Sequence, residues 1–288
     1  MHIFLFLTLT YSILIAQNDI KTVHIGYDAS AVEKYSKKDM KIATDIWLTK
    51  LLENIDYQVR FNYYDKISEM AEDLNNNKLD YVAGFGLNFV KHFDLSKLED
   101  AFAQGYFDNK GETFVLLTHK DGKINSWDDI DTDTLIAVDK YDSLAKMYVK
   151  TKLYKHKNSI NVNFLNLEGR NKAILKLFFN KTEVAISTNR AFALLKELNP
   201  QIGEKIKIMD DTQLTSNGFG FFRKNLDPKI KKELLDTTST LTSNEYGKQL
   251  LAIYKVETLR NTTVEGLKPI QELYEKFQKI PEAKKWKA

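Results

Sequence analysis

Along most of this chain, short runs that alternate apolar and polar residues take turns with longer stretches in which apolar residues recur every three or four positions. The first pattern puts every second side chain on one face of a strand, and the second puts a stripe along one side of a helix. Residues 22–27, 58–64 and 81–85 read as strands. Ile42, Ala43, Ile46, Trp47, Leu51 and Ile55 predict one buried face on a helix over 39–54, and Asp65 stands where a carboxylate would cap a helix with Ile67, Met70, Ala71 and Leu74 inside. A second set follows an extended passage, 100–118, that offers strand material at 114–117 and no helix. There, strands at 135–138, 162–165, 183–186 and 206–209 separate helices with inner faces Leu144, Met147 and Tyr148, then Ala173, Ile174, Leu177 and Phe178, then Phe192, Leu195 and Leu198. Ser126-Trp127-Asp128-Asp129 is a capping-box-like start to a short helix.

Such alternation is the pattern of α/β layers with a largely parallel sheet. Its repetition over 288 residues predicts two lobes, each a mixed sheet flanked by helices. Beyond the second set, 218–222 is an apolar strand, and Asp227-Pro228 caps and opens a helix with Ile230, Leu234, Leu235 and Leu241 inside. These return the chain to the first lobe. The expected division is 18–118 plus 218–288 for lobe 1 and 119–217 for lobe 2, with crossings near Thr118 and Asn217 and the ligand site between the lobes. A tail helix carrying Ile270, Leu273, Tyr274 and Phe277 is expected to pack on lobe 1.

Residues 3–16 depart from this pattern as an uncharged apolar run that ends at Gln17-Asn18-Asp19. The run is shorter than the roughly 20 residues a membrane helix needs, and no basic cluster follows it. Residues 1–16 therefore read as a secretory signal peptide with Ala16 the last residue removed; an uncleaved anchor and a buried helix are the alternatives. The 42 Lys and Arg against 39 Asp and Glu leave a formal charge of +3, without the basic stripe of a nucleic-acid binder. With no cysteine, disulfides, Cys-ligated zinc, iron–sulfur clusters and thiol nucleophiles are excluded.

Signatures of catalysis are missing as well. The chain has no Gly-x-Ser-x-Gly elbow, no His-Glu-x-x-His and no phosphate loop ending Gly-Lys-Ser/Thr, and Gly218-Phe219-Gly220 lacks the later glycine of a dinucleotide loop. His2, His24, His92, His119 and His156 are scattered without metal-ligand spacing. No catalytic residue, metal site or cofactor is expected.

Three segments read together carry a resemblance. A helix precedes Asn76-Asn77-Lys78-Leu79-Asp80-Tyr81-Val82-Ala83 and a Gly-containing turn. From Ala173 the chain runs Ala-Ile-Leu-Lys-Leu-Phe-Phe-Asn-Lys-Thr-Glu-Val-Ala-Ile-Ser-Thr-Asn-Arg-Ala-Phe and on to Glu-Leu-Asn-Pro, and Phe221 begins Phe-Phe-Arg-Lys-Asn-Leu-Asp-Pro. In this order and spacing they resemble the phosphate/phosphite/phosphonate-type substrate-binding proteins of ABC transporters, over residues 22–256. The resemblance implies the two-lobed type II periplasmic binding fold, with anionic groups received by backbone N–H groups and hydroxyls at helix N-termini. The corresponding turns here hold the candidate ligand-binding residues Tyr27, Asp28, Phe85, Asn88, Asp139, Tyr141, Asp142, Ser143, Arg170, Asn171, Ser187 and Thr188.

Where phosphonate binders of that family carry Ser-Thr-Ser-Gly, this chain reads Asp139-Lys140-Tyr141-Asp142-Ser143. Two carboxylates at an oxyanion cradle repel a doubly charged group unless Arg170 or Lys140 compensates. They suit an ammonium, with Arg170 or a helix terminus holding an acid group, so an amine or zwitterion is expected over a simple phosphonate. Structural roles stand open for the same side chains: Asp142 as a helix cap, Ser187 as the cap of the Phe192 helix, Arg170 paired with Glu168, and Tyr27 and Phe85 as core aromatics. The expected function is that of an exported, monomeric solute-binding protein that closes over a small ligand by hinge motion and hands it to an ABC permease. A sensor of the same fold reporting to a membrane kinase or cyclase, and an extracellular small-molecule enzyme, are the alternatives.

Overall fold

The computed structural model describes residues 21–32, 37–51, 57–108, 110–215, 218–254 and 256–285; the expected signal segment 1–16 lies outside them. Three parallel strands open the chain, β1 (Lys21–Asp28), β2 (Tyr57–Tyr64) and β3 (Tyr81–Phe85), with α1 (Lys37–Leu51) and α2 (Ile67–Asn75) between them. Then come α3 (Gly86–His92) and β4 (Leu98–Gly105). The second set runs β5 (Thr113–His119), β6 (Leu135–Asp139), α4 (Ser143–Lys157), β7 (Asn163–Leu167), α5 (Arg170–Phe178), β8 (Val184–Thr188), α6 (Asn189–Leu198), α7 (Pro200–Lys205) and β9 (Ile206–Thr215). The chain returns through β10 (Gly218–Arg223), α8 (Pro228–Ser239), α9 (Glu245–Ile253), β11 (Thr258–Thr262) and α10 (Lys268–Gln278).

These strands make two mixed sheets, in the orders β11-β4-β10-β3-β1-β2 and β7-β6-β8-β5-β9. In each, three parallel strands lie second-first-third and an antiparallel strand follows the third, so both lobes use one topology. All five residues of β8 are buried, as a parallel strand covered on both faces requires, and its Val-Ala-Ile-Ser-Thr sequence carries only small or β-branched side chains.

The sheets move one expected boundary. Residues 114–117, assigned to lobe 1 by a crossing at Thr118, belong to β5, which pairs with β8 and β9 of the second sheet. The first crossing is therefore residues 106–112; the second, expected near Asn217, lies outside the described residues. Other corrections follow from packing. α1 turns Met40 and Thr44 inward and leaves Ile42 and Ile46 about half exposed, because Thr44 hydrogen-bonds the partly buried Tyr254 hydroxyl at 2.7 Å; the side chains of Trp47 and Leu51, and residue Ile55, lie outside the description. Leu198 is exposed at the end of α6, no residue of α8 is fully buried, and α2 is capped at Lys66 without a side-chain bond. β4, α3, α9 and β11 were not expected.

One continuous apolar core runs from lobe 1 (Leu79, Val82, Phe89, Phe221) through Ile270, Leu273 and Phe277 of α10 to lobe 2 (Leu116, Ile136, Met147). The tail helix, expected on lobe 1, packs against both α3 and α4.

Candidate functional site

β6, β7 and β8 end at one edge of the second sheet, and α4, α5 and α6 leave from there. Their first turns carry Asp142, Arg170 and Thr188. The Arg170 guanidinium donates from Nε to Asp142 Oδ2 at 2.9 Å and from Nη2 to Oδ1 at 2.8 Å, a two-pronged pair that matches the planar carboxylate. Its Nη1 donates to Glu112 Oε2 at 3.1 Å. Glu112 also accepts from the Tyr106 hydroxyl at 2.8 Å and the Thr188 hydroxyl at 2.7 Å, while the Ser187 hydroxyl donates to the Arg170 carbonyl at 3.2 Å. Burial works against the Arg170 charge, but Asp142, by charge and hydrogen bonds, with Glu112 and Asp139, holds its pKa above the ordinary guanidinium range.

Asp139 ends β6 almost fully buried and accepts the Tyr141 N–H at 3.2 Å. Lys146 donates to the Lys140 carbonyl at 2.8 Å; burial pushes its pKa down against the pull of Asp142 and Asp139. Lys140 pairs with Glu168 at 2.6 Å and sits over the Tyr141 ring. Ser143 is the first residue of α4, and Asn171 is exposed on α5. Three expected structural roles are corrected. Asp142 occupies the cap position of α4 without a cap bond, its oxygens being held by Arg170. Glu168 holds Lys140, and Arg170 holds Asp142 and Glu112. The α6 cap is Thr188, whose oxygen accepts the Ala191 N–H, in place of Ser187.

Lobe 1 separates its candidates onto two faces, as successive strand residues must. Asp28 is fully buried; one oxygen accepts the Ser30 N–H at 2.9 Å and hydroxyl at 2.6 Å, the other accepts Asn88 Nδ2 at 2.6 Å. A Cβ on Gly84 would stand 2.6 Å from the Asp28 Cβ, so a glycine in β3 is what admits this carboxylate. Tyr27 and Phe85 face the other way and wall a cavity of about 270 Å³ between the sheet and α1, α8 and α9. The Tyr27 ring packs on Tyr254, Phe61 and Tyr63 with centroids 5.1, 5.6 and 5.7 Å away. Asp139, Tyr141, Asp142, Arg170, Ser187 and Thr188 thus form one group, Asp28 and Asn88 a second, and Tyr27 and Phe85 a third.

A family model for "ABC transporter, phosphonate, periplasmic substrate-binding protein" matches residues 30–265. The chain belongs to this family. Its members are periplasmic proteins that bind a small solute for an ABC permease, and that is the function of this chain. The type II fold is shared with a binding-protein component of an ABC phosphonate transporter from Pseudomonas aeruginosa (18% identity, 89% of this chain and 86% of that chain covered, TM-score 0.54). It is shared equally with a Prochlorococcus marinus protein solved in complex with methylphosphonate (15%, 91% and 100%, 0.58) and a Xanthomonas citri protein solved with chloride (11%, 91% and 99%, 0.62). No curated protein sequence matches the chain.

In this substrate-binding protein, three partners of the site escaped the sequence reading: Tyr106, Glu112 and Arg190. The first two sit on the crossing between the lobes, a passage with no periodicity to mark them. Arg190, on α6, pairs with Asp108 of that crossing at 3.0 Å and with Glu257 of lobe 1 at 3.7 Å, its guanidinium 3.7 Å over the Tyr106 ring. Signals existed in hindsight, since Glu112 is a lone acid entering apolar β5 and Arg190 follows the Ser187-Thr188 turn. Among the described residues no group of three or more His, Cys, Asp or Glu could hold a metal ion, and no helix is long and apolar enough to cross a membrane.

Proposed function

We propose that this substrate-binding protein captures a small amine-bearing acid, its acid group taken by Arg170 and its ammonium by the carboxylates of Asp139 and Glu112. A monomer binds it without chemical turnover and delivers it to the permease. One observation carries the reading: the Arg170 fork is already filled by carboxylates of the chain itself. The lobe 2 helix starts thus gather Asp139, Asp142 and Glu112 beside Arg170 and Lys146, three carboxylates against two cationic groups. A dianionic phosphonate brought there adds to an excess of negative charge, and each like pair at 4 Å costs about 4 kcal/mol at an effective dielectric of 20. A ligand with its own ammonium relieves that excess while its acid replaces Glu112 at Nη1.

The family description names phosphonate, and the Prochlorococcus relative was solved with methylphosphonate. An aminated phosphonate or an amino acid keeps an acid head and adds the cation. Calorimetric titration with 2-aminoethylphosphonate, methylphosphonate, inorganic phosphate and a panel of amino acids tests this. An aminated ligand is expected to bind about tenfold tighter than its amine-free analogue, the worth of one charge-assisted hydrogen bond, and Asp139→Asn to remove the preference. Strong binding of phosphate or methylphosphonate alone, unchanged by Asp139→Asn, refutes it. Export through residues 1–16 belongs to the same reading, and the intact mass of the secreted chain tests that step.

A further inference from the structure

The cavity inside lobe 1 is separate from the charged group on lobe 2, and its lining has a different chemistry. Among the described residues, no Asp, Glu, Lys, Arg or His contributes to it. Its walls are mainly aromatic and aliphatic, and the floor is kept low by Ala83, Gly218 and Gly220. At Gly220 the space a side chain would need is already taken by the Tyr81 hydroxyl. At about 270 Å³ the cavity exceeds the roughly 150 Å³ apolar cavities known to hold a benzene molecule.

Six side chains with hydrogen-bonding groups reach this lining: Tyr27, Tyr81, Tyr254, Gln104, Thr237 and Thr238. Four are spent within the protein. The Tyr254 hydroxyl bonds Tyr63 and Thr44, Gln104 accepts the Gly218 N–H, and the two threonine hydroxyls donate to the carbonyls of Glu233 and Leu234. The Tyr27 and Tyr81 hydroxyls make no hydrogen bond to a described residue. In the β1–β3 register Tyr81 pairs with Ile25 and Tyr27 with Ala83, so the two phenols stand on one face of neighbouring strands, two positions apart, and both line the cavity; burial raises the pKa of both, which keeps them protonated donors. Both residues are only partly buried and line the cavity, so their phenol donors remain to be offered to an acceptor inside it.

We infer that the lobe 1 cavity is a second binding site, for a neutral, largely apolar molecule of roughly ten heavy atoms whose single acceptor oxygen is held by Tyr27 and Tyr81. An aryl ketone has this chemistry. An anion is disfavoured because no cation among the described lining residues offsets its desolvation. The site is independent of the solute bound at Arg170.

Acetophenone, with ethylbenzene as the probe of similar shape that lacks the oxygen, tests the inference by ligand-observed NMR titration of the full chain. Saturable binding of acetophenone is expected, weakened about fivefold by Tyr81→Phe, while ethylbenzene binds wild type and Tyr81→Phe alike. Ala83→Leu, which fills the floor, is expected to abolish binding of both. Thermal unfolding confirms that each variant is folded, and if Ala83→Leu does not fold, Tyr81→Phe carries the test alone. Absence of saturable binding to wild type, or acetophenone affinity unchanged in Tyr81→Phe, overturns the inference.

Discussion

Arg170 shows how one residue can be read correctly for position and wrongly for partner. An arginine just after Gly169 at a helix start is where an acid would be received, and the sequence makes that visible. Which acid is not visible, because Asp142 and Glu112 lie 28 and 58 positions away along the chain and meet it only when α4, α5 and the lobe crossing converge. The cluster is mostly buried, with Arg170, Asp142 and Glu112 side chains 24%, 10% and 14% exposed. Arg170→Ala therefore leaves two desolvated carboxylates facing each other and is expected to cost about 3 kcal/mol in urea unfolding, as breaking a buried ion pair does. Adding Asp142→Leu and Glu112→Leu to Arg170→Ala should recover part of that loss, since the repulsion goes with the charges. A triple variant no more stable than Arg170→Ala alone would show that the carboxylates are not what makes the arginine necessary.

Elements were legible where a local rule fixes them and obscure where a distant contact does. Ser126-Trp127-Asp128-Asp129 forms the capping box its spacing announces, at the start of a single 3-10 turn. Asp129 accepts the N–H groups of Asn125 and Ser126, each at 2.9 Å, and these bonds hold its pKa below the ordinary carboxylate value. A folded-state pKa below the unfolded one stabilises fully above the unfolded value and is lost as pH falls through the folded value. Asp129→Asn should therefore lower stability at pH 7 and lose that deficit in acid, once pH has fallen through the lowered folded-state value and the wild-type carboxylate is protonated too. Equal deficits at both pH values would remove the charge from the explanation. By contrast, β4 and α1 misled. Leu98–Gly105 does not alternate cleanly because it lies inside the sheet between β10 and β11, beside a register shift, and α1 sends a threonine inward to a tyrosine hydroxyl in place of its isoleucines.

At the scale of the molecule, the two-lobed plan followed from repeated strand–helix alternation, but the hinge did not, since its contacts are long-range. Arg190 of lobe 2 ties the 106–112 crossing, through Asp108, to Glu257 of lobe 1, and Asn189 beside it binds the Thr113 N–H and the Gly111 carbonyl. α10 adds an apolar strut against both α3 and α4. A solute that touches both lobes must select one relative orientation of the two sheets over the others, by as much as its contacts differ between them. The absence of native cysteine makes this directly measurable, because Asn76→Cys on lobe 1 and Lys176→Cys on lobe 2 are exposed positions that take spin labels without competition. Saturating 2-aminoethylphosphonate is expected to narrow the inter-label distance distribution. Arg190→Gln is expected to broaden it before ligand is added while changing unfolding free energy by less than about 1 kcal/mol, because Asp108 and Glu257 are 47% and 44% exposed. A distribution that Arg190→Gln leaves unaltered would assign the lobe orientation to the α10 strut alone, and one that ligand leaves unaltered would rule out closure as the means by which this protein holds its solute.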